Sequence, residues 1–463
     1  MTNEVRPKEI PTPSRGETNT KQHEHTTLTD ANAQEQEIVV TDQDRKRALW
    51  GSAVGSTIEW YDYFLYGTMS GLIFGPYFFP SDNATLSQIL ALASFAVAFL
   101  IRPLGGVIFS HIGDRIGRKK TLVITLTLMG TATVAMGLLP TYAQIGVAAP
   151  IILTILRLLQ GLALGGEWGG GLLLAVEYSP KNRRGFYGAV PQTGALLGLA
   201  LGNIATLGAS AIFPGEAFDS IGWRIPFLLS VVLLVVGLWI RYKVDETPSF
   251  RRVKAAGGTK QIPLAETLKH HWRQVLIATG AKVIETSTFF IFATFALSYA
   301  VDLGFDRNAV LSAILISAVV GVYSMLKFGS LSDRVGRKPV FLWGTVGVMV
   351  FILPFFWMLN QGSVALMCIA IFIGFAIVWP SYGSLIGTLI AESFSPDIRY
   401  TGASLGYQLG AAIAGGPAPL IATSLLAAFG GSYVPIGFFV MLCGVVSLVA
   451  VKFAKEKSNQ EID

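Results

Sequence analysis

Charge is scarce in this chain. Only 14% of its 463 residues are Asp, Glu, Lys or Arg, where a soluble protein carries about 25%. The charges fall in loops, and between them lie apolar stretches of roughly 20 residues or more, the helix length that crosses a bilayer. That pattern excludes a soluble α/β architecture. Cysteine is scarcer still. Cys368 and Cys443 are the only two and both sit in apolar stretches, so they read as packing residues and imply no disulfide framework. Of the five histidines, His23 and His25 lie in a polar N-terminal tail and His270 and His271 in a central loop. No metal cluster follows from them. His111, at the end of the second apolar stretch, could titrate physiologically or serve as an interfacial polar group. A cleavable leader is not expected, because the N-terminal stretch is long and polar. The glycine-rich run Gly165–Gly171 lacks a preceding strand and a P-loop lysine, so ATP hydrolysis is not expected. No nucleophile or metal set suggests an enzyme, and no cofactor is expected beyond a coupling proton.

Hydrophobic residues make up 52% of the chain and the mean hydropathy is +0.55. The apolar runs predict an all-α integral membrane protein with twelve spans: 48–74, 87–111, 121–139, 147–175, 186–212, 224–242, 274–301, 309–331, 340–359, 364–391, 401–429 and 434–453. Charge alternates between the loops. One set holds Asp114–Lys120, Lys181–Arg184, Arg241–Arg273, Arg334–Lys338 and Arg399, whereas Arg307 is the only basic residue of the other set. Basic residues mark the cytoplasmic side, which places both termini there and calls for an even number of spans. The net charge of +6 is explained in the same way, so no nucleic-acid partner is expected. Residues 1–44 are too polar to bury a core and are expected to be a disordered cytoplasmic tail. A short cytoplasmic tail, 454–463, is expected at the other terminus.

The chain repeats itself. Gly-Asp-Arg-Ile-Gly-Arg-Lys-Lys at Gly113–Lys120 returns as Ser-Asp-Arg-Val-Gly-Arg-Lys at Ser332–Lys338, with Asp114 and Asp333 separated by 333 − 114 = 219 positions. Glu177–Arg184 matches Glu392–Arg399 at an offset of 392 − 177 = 215. Glycines recur every fourth residue at Gly194, Gly198 and Gly202, and again at Gly402, Gly406 and Gly410. Small residues at that spacing let helices approach closely in lipid. The expectation is two pseudo-symmetric six-helix bundles, 45–242 and 274–453, joined by a cytoplasmic linker at 243–273. Repeats of this kind belong to transporters whose halves rock about a central site.

The two charged loops resemble the loop signature of the major facilitator superfamily. Glu59-Trp-Tyr-Asp-Tyr63, Arg102-Pro-Leu-Gly-Gly106, Arg157-Leu-Leu-Gln-Gly161, Gly165-Gly-Glu-Trp-Gly-Gly170 and Gly222-Trp-Arg-Ile-Pro-Phe227 resemble one branch, the metabolite:proton symporters. Within it, Trp60–Tyr66, Phe99–Gly106 and Gly406–Gln408 look most like bacterial shikimate transporters. The resemblance implies proton-coupled import of a small carboxylate such as shikimate across the inner membrane by a monomer. Other members carry α-ketoglutarate, citrate, aromatic acids, or proline and betaine. Osmosensing proline/betaine members end in a long coiled coil, and the stretch from Phe453 to Asp463 carries none. The fifth span also lacks the Gly/Pro signature of drug:proton antiporters.

Seven ionisable groups fall near the middle of spans: Glu59, Asp62, Arg102, Arg157, Glu167, Lys282 and Glu285. Each costs about 2.5–3.5 kcal/mol there and marks an ion path or a locking ion pair. Glu59 and Asp62, three apart, share a helix face. Two such carboxylates do not both ionise easily in a low dielectric, so one is expected to hold the coupling proton, Asp62 before Glu59. Glu167 and Glu285 are further candidates. An arginine fork matches a carboxylate, so Arg157 or Arg102 is expected to bind substrate, with Gln160 nearby. The alternative is that these arginines pair with Glu59 or Asp62. Lys282 with Glu285 forms a matching station in the second half, unless Lys282 snorkels to the interface. Gln192 and Gln408 could meet substrate hydroxyls or bond helix to helix. Tyr61, Tyr63, Tyr66, Trp168, Trp379 and Tyr382 could line the cavity or simply pack. Asp114 with Arg115 and Arg118, and Asp333 with Arg334 and Arg337, are expected to cap helix ends and hold the cytoplasmic side shut. A non-transporting membrane sensor is the competing class, but neither tail has the composition of a folded output domain.

Overall fold

Backbone that crosses lipid must satisfy its own hydrogen bonds, which leaves helices or closed barrels. A computed structural model of the chain describes residues 2, 42–116, 118–166, 172, 175, 176, 179–243, 264–395 and 398–456, and among the described residues there is no strand. Two compact units, Met1–Asp44 and Arg45–Asp463, make up the chain, and the helical body belongs to the second.

The long helices are α1 (Asp42–Met69), α2 (Ala84–Ile116), α3 (Arg118–Leu138), α4 (Ala148–Gly165), α5 (Arg184–Ile212) and α6 (Arg224–Lys243), then α7 (Leu264–Phe290), α8 (Arg307–Val335), α9 (Arg337–Leu359), α10 (Val364–Phe372), α11 (Arg399–Gly410) and α12 (Val434–Phe453). Four of them run on through a wider π turn: α1 at Ser70–Phe74, α7 at Ile291–Phe295, α10 at Ile373–Val378 and α11 at Ala411–Gly415. The turns in α1 and α7 are 291 − 70 = 221 positions apart, close to the spacing of the two charged loops. Eleven spans qualify for membrane crossing on length and apolarity among the described residues. The remaining helix, α1, is long enough but dilutes its apolar run with Glu59, Asp62 and several Ser, Thr and Gly residues. Helix α7 starts at Leu264 rather than near Gln274, so His270 and His271 are helical, with a kink at His271.

Ends are set locally. The Asp306 side chain accepts from Ala309 N at 2.8 Å and starts α8. Gly336, at φ +105°, turns the chain from α8 into α9, which explains why the repeated loop carries a glycine there. Large side chains such as Val350, Phe438 and Leu442 point outward, where lipid is the solvent.

Backbone proximity organises the interior. A Cβ on Gly161 would lie 2.3 Å from Ala98 O, and one on Gly165 would lie 2.1 Å from Arg102 O, so α4 runs directly against α2. The predicted glycine repeats meet their counterparts: Gly194 and Gly198 press on Ser56 and Thr57 of α1, and Gly406 and Gly410 press on Ala278 and Thr279 of α7. Gly202 faces open space, and Gly402 packs on Phe394 instead. Gly161→Ala should therefore force α2 and α4 apart. Overpacking costs about 1–3 kcal/mol, read as a lower melting temperature than that of Gly208→Ala, a position with no neighbour within 4 Å of its Cβ. Equal melting of the two variants would contradict the close approach.

Candidate functional site

Three buried cations mark the centre of the molecule: Arg102 on α2, Arg157 on α4 and Lys282 on α7, each no more than 2% exposed. The close α2–α4 contact brings the two arginines to one side chain, Tyr63 of α1. The Arg102 guanidinium lies 4.3 Å and the Arg157 guanidinium 4.0 Å from the centre of its ring. Phe99 and Trp60 complete the cage around Arg102. Tyr66 and Phe95 complete the one around Arg157. Ring faces attract cations by about 2 kcal/mol when water is excluded, but they satisfy no N–H. Nε and Nη2 of both arginines accordingly lack hydrogen-bond partners.

A polar chain leads away from Arg157. Its Nη1 donates to Gln160 Oε1 at 2.8 Å, and Gln160 Nε2 donates to Thr133 Oγ1 at 2.7 Å. Thr133 Oγ1 in turn donates to Met129 O at 3.0 Å, and nearby Ser230 Oγ donates to Asp62 Oδ1 at 2.7 Å. Asp62 is thus held by a hydroxyl inside the first bundle. Glu59 is also buried, and it acts electrostatically on Arg102. Tyr61 and Tyr66 serve packing within the bundle: Tyr61 OH donates to Pro226 O, and Tyr66 OH bonds Ser94.

The second bundle supplies the other station. Lys282 does not snorkel. Its ammonium pairs with Glu285 and lies 3.7 Å from the centre of the Tyr407 ring. Thr286 Oγ1 donates to the same Glu285 oxygen at 2.8 Å. Trp379 Nε1 donates to the Glu285 carbonyl at 2.9 Å, and Tyr382 OH bonds Thr288. Gln408 Nε2 reaches Gly165 O of the first bundle at 3.3 Å, leaving its own Oε1 unpartnered.

A small cavity of about 20 Å³ lies at the seam of the bundles. Trp60 and Phe64 of α1, Gln192 of α5, Lys282 and Glu285 of α7, Trp379 beyond the α10 π turn and Tyr407 of α11 are among its walls. Arg102 and Arg157 do not line it; the α1 aromatics stand between. Inter-bundle contacts lie beyond it in both directions. Towards one end, a Cβ on Gly67 would lie 3.0 Å from Thr294 Oγ1, and Arg307 pairs with Asp219 at 2.8 Å. Towards the other, Asp333 accepts from Gly185 N at 2.8 Å and Phe186 N at 3.0 Å, capping α5 across the seam. Arg337 holds Asp333 at 2.9 Å and reaches Glu392 at 3.5 Å, while Arg334 is exposed.

The side chains of Asp114, Arg115 and Arg118, and the whole of Glu167 and Trp168, lie outside the described residues. Among the described residues no group of three or more His, Cys, Asp or Glu could hold a metal. Sequence reasoning passed over Thr133, Ser230, Thr286 and Tyr407 as site groups. Ser230 carried a readable signal, a lone hydroxyl amid the apolar run of α6.

A chamber at the seam of two bundles with repeated charged loops defines a membrane transporter. Residues 53–416 match the family model for the Major Facilitator Superfamily, and the chain belongs to that family. It is 36% identical over 420 residues to the shikimate transporter of Escherichia coli K12, covering 89% of this chain and 95% of the relative. It is also 36% identical over 425 residues to the inner membrane metabolite transport protein YhjE of the same organism, covering 90% and 96%. The xylose transporter XylE from E. coli, in a partially occluded inward-open conformation, shares the fold with a TM-score of 0.71 at 16% identity, covering 90% of this chain and 99% of that one. The chain is a multi-pass membrane transporter of a small molecule and not an enzyme.

The geometry around Tyr63 separates ring from hydroxyl. Its OH is buried without a partner. Tyr63→Phe should melt within a degree or so of the parent, whereas Tyr63→Leu should lose about 2 kcal/mol or more with the ring faces. Equal loss in the two variants would assign the effect to the hydroxyl.

Proposed function

We propose that the chain is a proton-coupled symporter that imports a small carboxylate such as shikimate across the bacterial inner membrane by alternating access. The observation that carries this reading is the set of buried cations around the seam. Arg102 and Arg157 keep guanidinium donors unpartnered away from water, and Lys282 faces the cavity. Buried guanidinium donors left without a hydrogen bond are costly, and they favour an anion in the chamber. Gln192 and Trp379 line the same space and suit a hydroxylated ring. The similarity to a shikimate transporter supports the substrate class. The protein works as a monomer with both termini cytoplasmic.

Asp333, capping α5 across the seam, is the cytoplasmic latch in this reading, and Asp114 is its repeat partner. Asp62, buried and held by Ser230, is the carboxylate that takes the coupling proton, and the Arg157–Gln160–Thr133 hydrogen bonds run through the same bundle. Uptake of labelled shikimate, α-ketoglutarate and citrate into cells, with and without a proton-dissipating agent, tests the function. Accumulation of at least one acid that collapses with the gradient is expected. No uptake of any of them would sink the carboxylate reading, and uptake indifferent to the gradient would make the chain a facilitator.

Asp62→Asn should abolish gradient-driven accumulation while leaving exchange of internal for external substrate largely intact. Counterflow in proteoliposomes checks this, and equal loss of both activities would remove Asp62 from the proton path.

A further inference from the structure

Arg307 is the only basic residue in the loops that alternate with the charged cytoplasmic ones. It also opens α8, directly after the Asp306 cap. Two rules work against a cation there. Basic residues are depleted on the outer side of a membrane, and positive charge is unfavourable at a helix N-terminus. What holds Arg307 lies across the seam. Its Nη1 donates to Asp219 Oδ1 at 2.8 Å, and its guanidinium lies 5.3 Å from the centre of the Phe218 ring. Both partners belong to the turn Phe218–Gly222, which joins α5 to α6 in the first bundle. Glu216 stands in the same loop, and Tyr77 feels the charges of Asp219, Glu216 and Arg307.

Helix α8 is therefore fastened to the first bundle at both ends, and the two fastenings are unequal. At Arg307 there is one ion pair, whose side chains are 27% and 33% exposed. At Asp333 one carboxylate meets two backbone donors, Gly185 N and Phe186 N, together with the Arg337 guanidinium, and the paired side chains are 2% and 8% exposed. An ion pair open to water is weak and screened by salt. Charge-assisted hydrogen bonds kept from water are stronger and less screened.

We propose that Arg307 and Asp219 form an outer latch, weaker than the Asp333 latch at the other end of the same helix, so that the empty transporter opens first to the outside and external salt favours that opening. This rests on the alternating-access reading given above, including its orientation. The asymmetry suits an importer. The face from which cargo loads is closed by a contact that salt and thermal motion undo, while the cytoplasmic face stays shut until cargo is aboard. When the outer latch parts, water takes the place of each partner and no charge is left buried. Parting Asp333 instead strips the start of α5 of its cap.

The experiment follows amide hydrogen exchange of the full chain in nanodiscs at two places. One is residues 291–299, where Thr294 and Ser298 close on Gly67 and Gly71 of α1 across the seam. The other is the start of α5, where Asp333 holds Gly185 N and Phe186 N. Arg307→Gln and Asp219→Asn should each speed exchange at the first place by up to about fivefold, the shift that an exposed ion pair sets. Neither should speed it at the second. Raising salt from about 0.01 M to about 1 M shortens the screening length from about 30 Å to about 3 Å. It should loosen the first place in the parent and have no such effect in either variant. Exchanging the charges, Arg307→Asp with Asp219→Arg, should return the parent rate. A parent indifferent to salt, a charge exchange that restores nothing, or equal loosening at both places overturns the latch and leaves the transport reading standing. If the exchanged pair does not fold, the single variants decide, because a salt response retained without the pair has the same consequence. Saturating shikimate, α-ketoglutarate or citrate added to the parent tests alternating access itself. If none of them alters exchange at either place, alternating access of a carboxylate falls, while the salt response still judges the contact.

Discussion

Buried positive charge is the constraint on which the centre of this protein depends. Lipid-spanning helices can hold guanidinium groups only if something replaces water around them. In the first bundle that replacement is aromatic. Tyr63, Tyr66, Phe95, Phe99 and Trp60 offer ring faces to Arg102 and Arg157. Ring faces offset the charge but accept no full hydrogen bond, so donors are left over. In the second bundle the opposite choice is made, with Lys282 held by Glu285. The halves are copies in fold and differ in how they keep a cation dry.

Glycine makes that centre possible. Arg102 and Arg157 reach the same ring because α2 and α4 touch backbone to backbone at Gly161 and Gly165. Lys282 sits where Gly410 lets α11 close on α7, since a Cβ at Gly410 would lie 2.6 Å from Lys282 Cβ. Small residues in lipid give close packing, and here the same contacts set the position of charge. The repeated glycines and the repeated charged loops are two traces of one duplication. The glycines fix contacts within each bundle, whereas Asp333 fixes a contact between them.

Much of the fold was legible because lipid imposes a crude rule. Apolar length and charged loops sufficed to place the spans, and α1 was found despite its polar content. The cap made by Asp333 was legible because an acid beside arginines at a helix end has few other uses. What was not legible is which groups face one another across the seam. The i, i+3 spacing put Lys282 and Glu285 together, but only the fold shows that Tyr407 covers the ammonium and that both line the cavity. The same spacing put Glu59 with Asp62. There the structure sends Asp62 to Ser230, away from the cavity. Helical periodicity assigns a face and leaves the partner to packing.

The cavity-facing carboxylate and the hydroxyl-bound one are therefore placed for different events. Glu285 lines the cavity beside Lys282, so in the proposed transport its charge state bears on binding. Asp62 of α1 is held by Ser230 of α6, so its charge state bears on how the first bundle holds together. The proposed symport needs both kinds of dependence. Cargo must bind better when the proton is present, and the bundles must rock only when both or neither is aboard. One carboxylate at the seam and one inside a bundle is an arrangement in which a proton can act on binding and on rocking through separate groups.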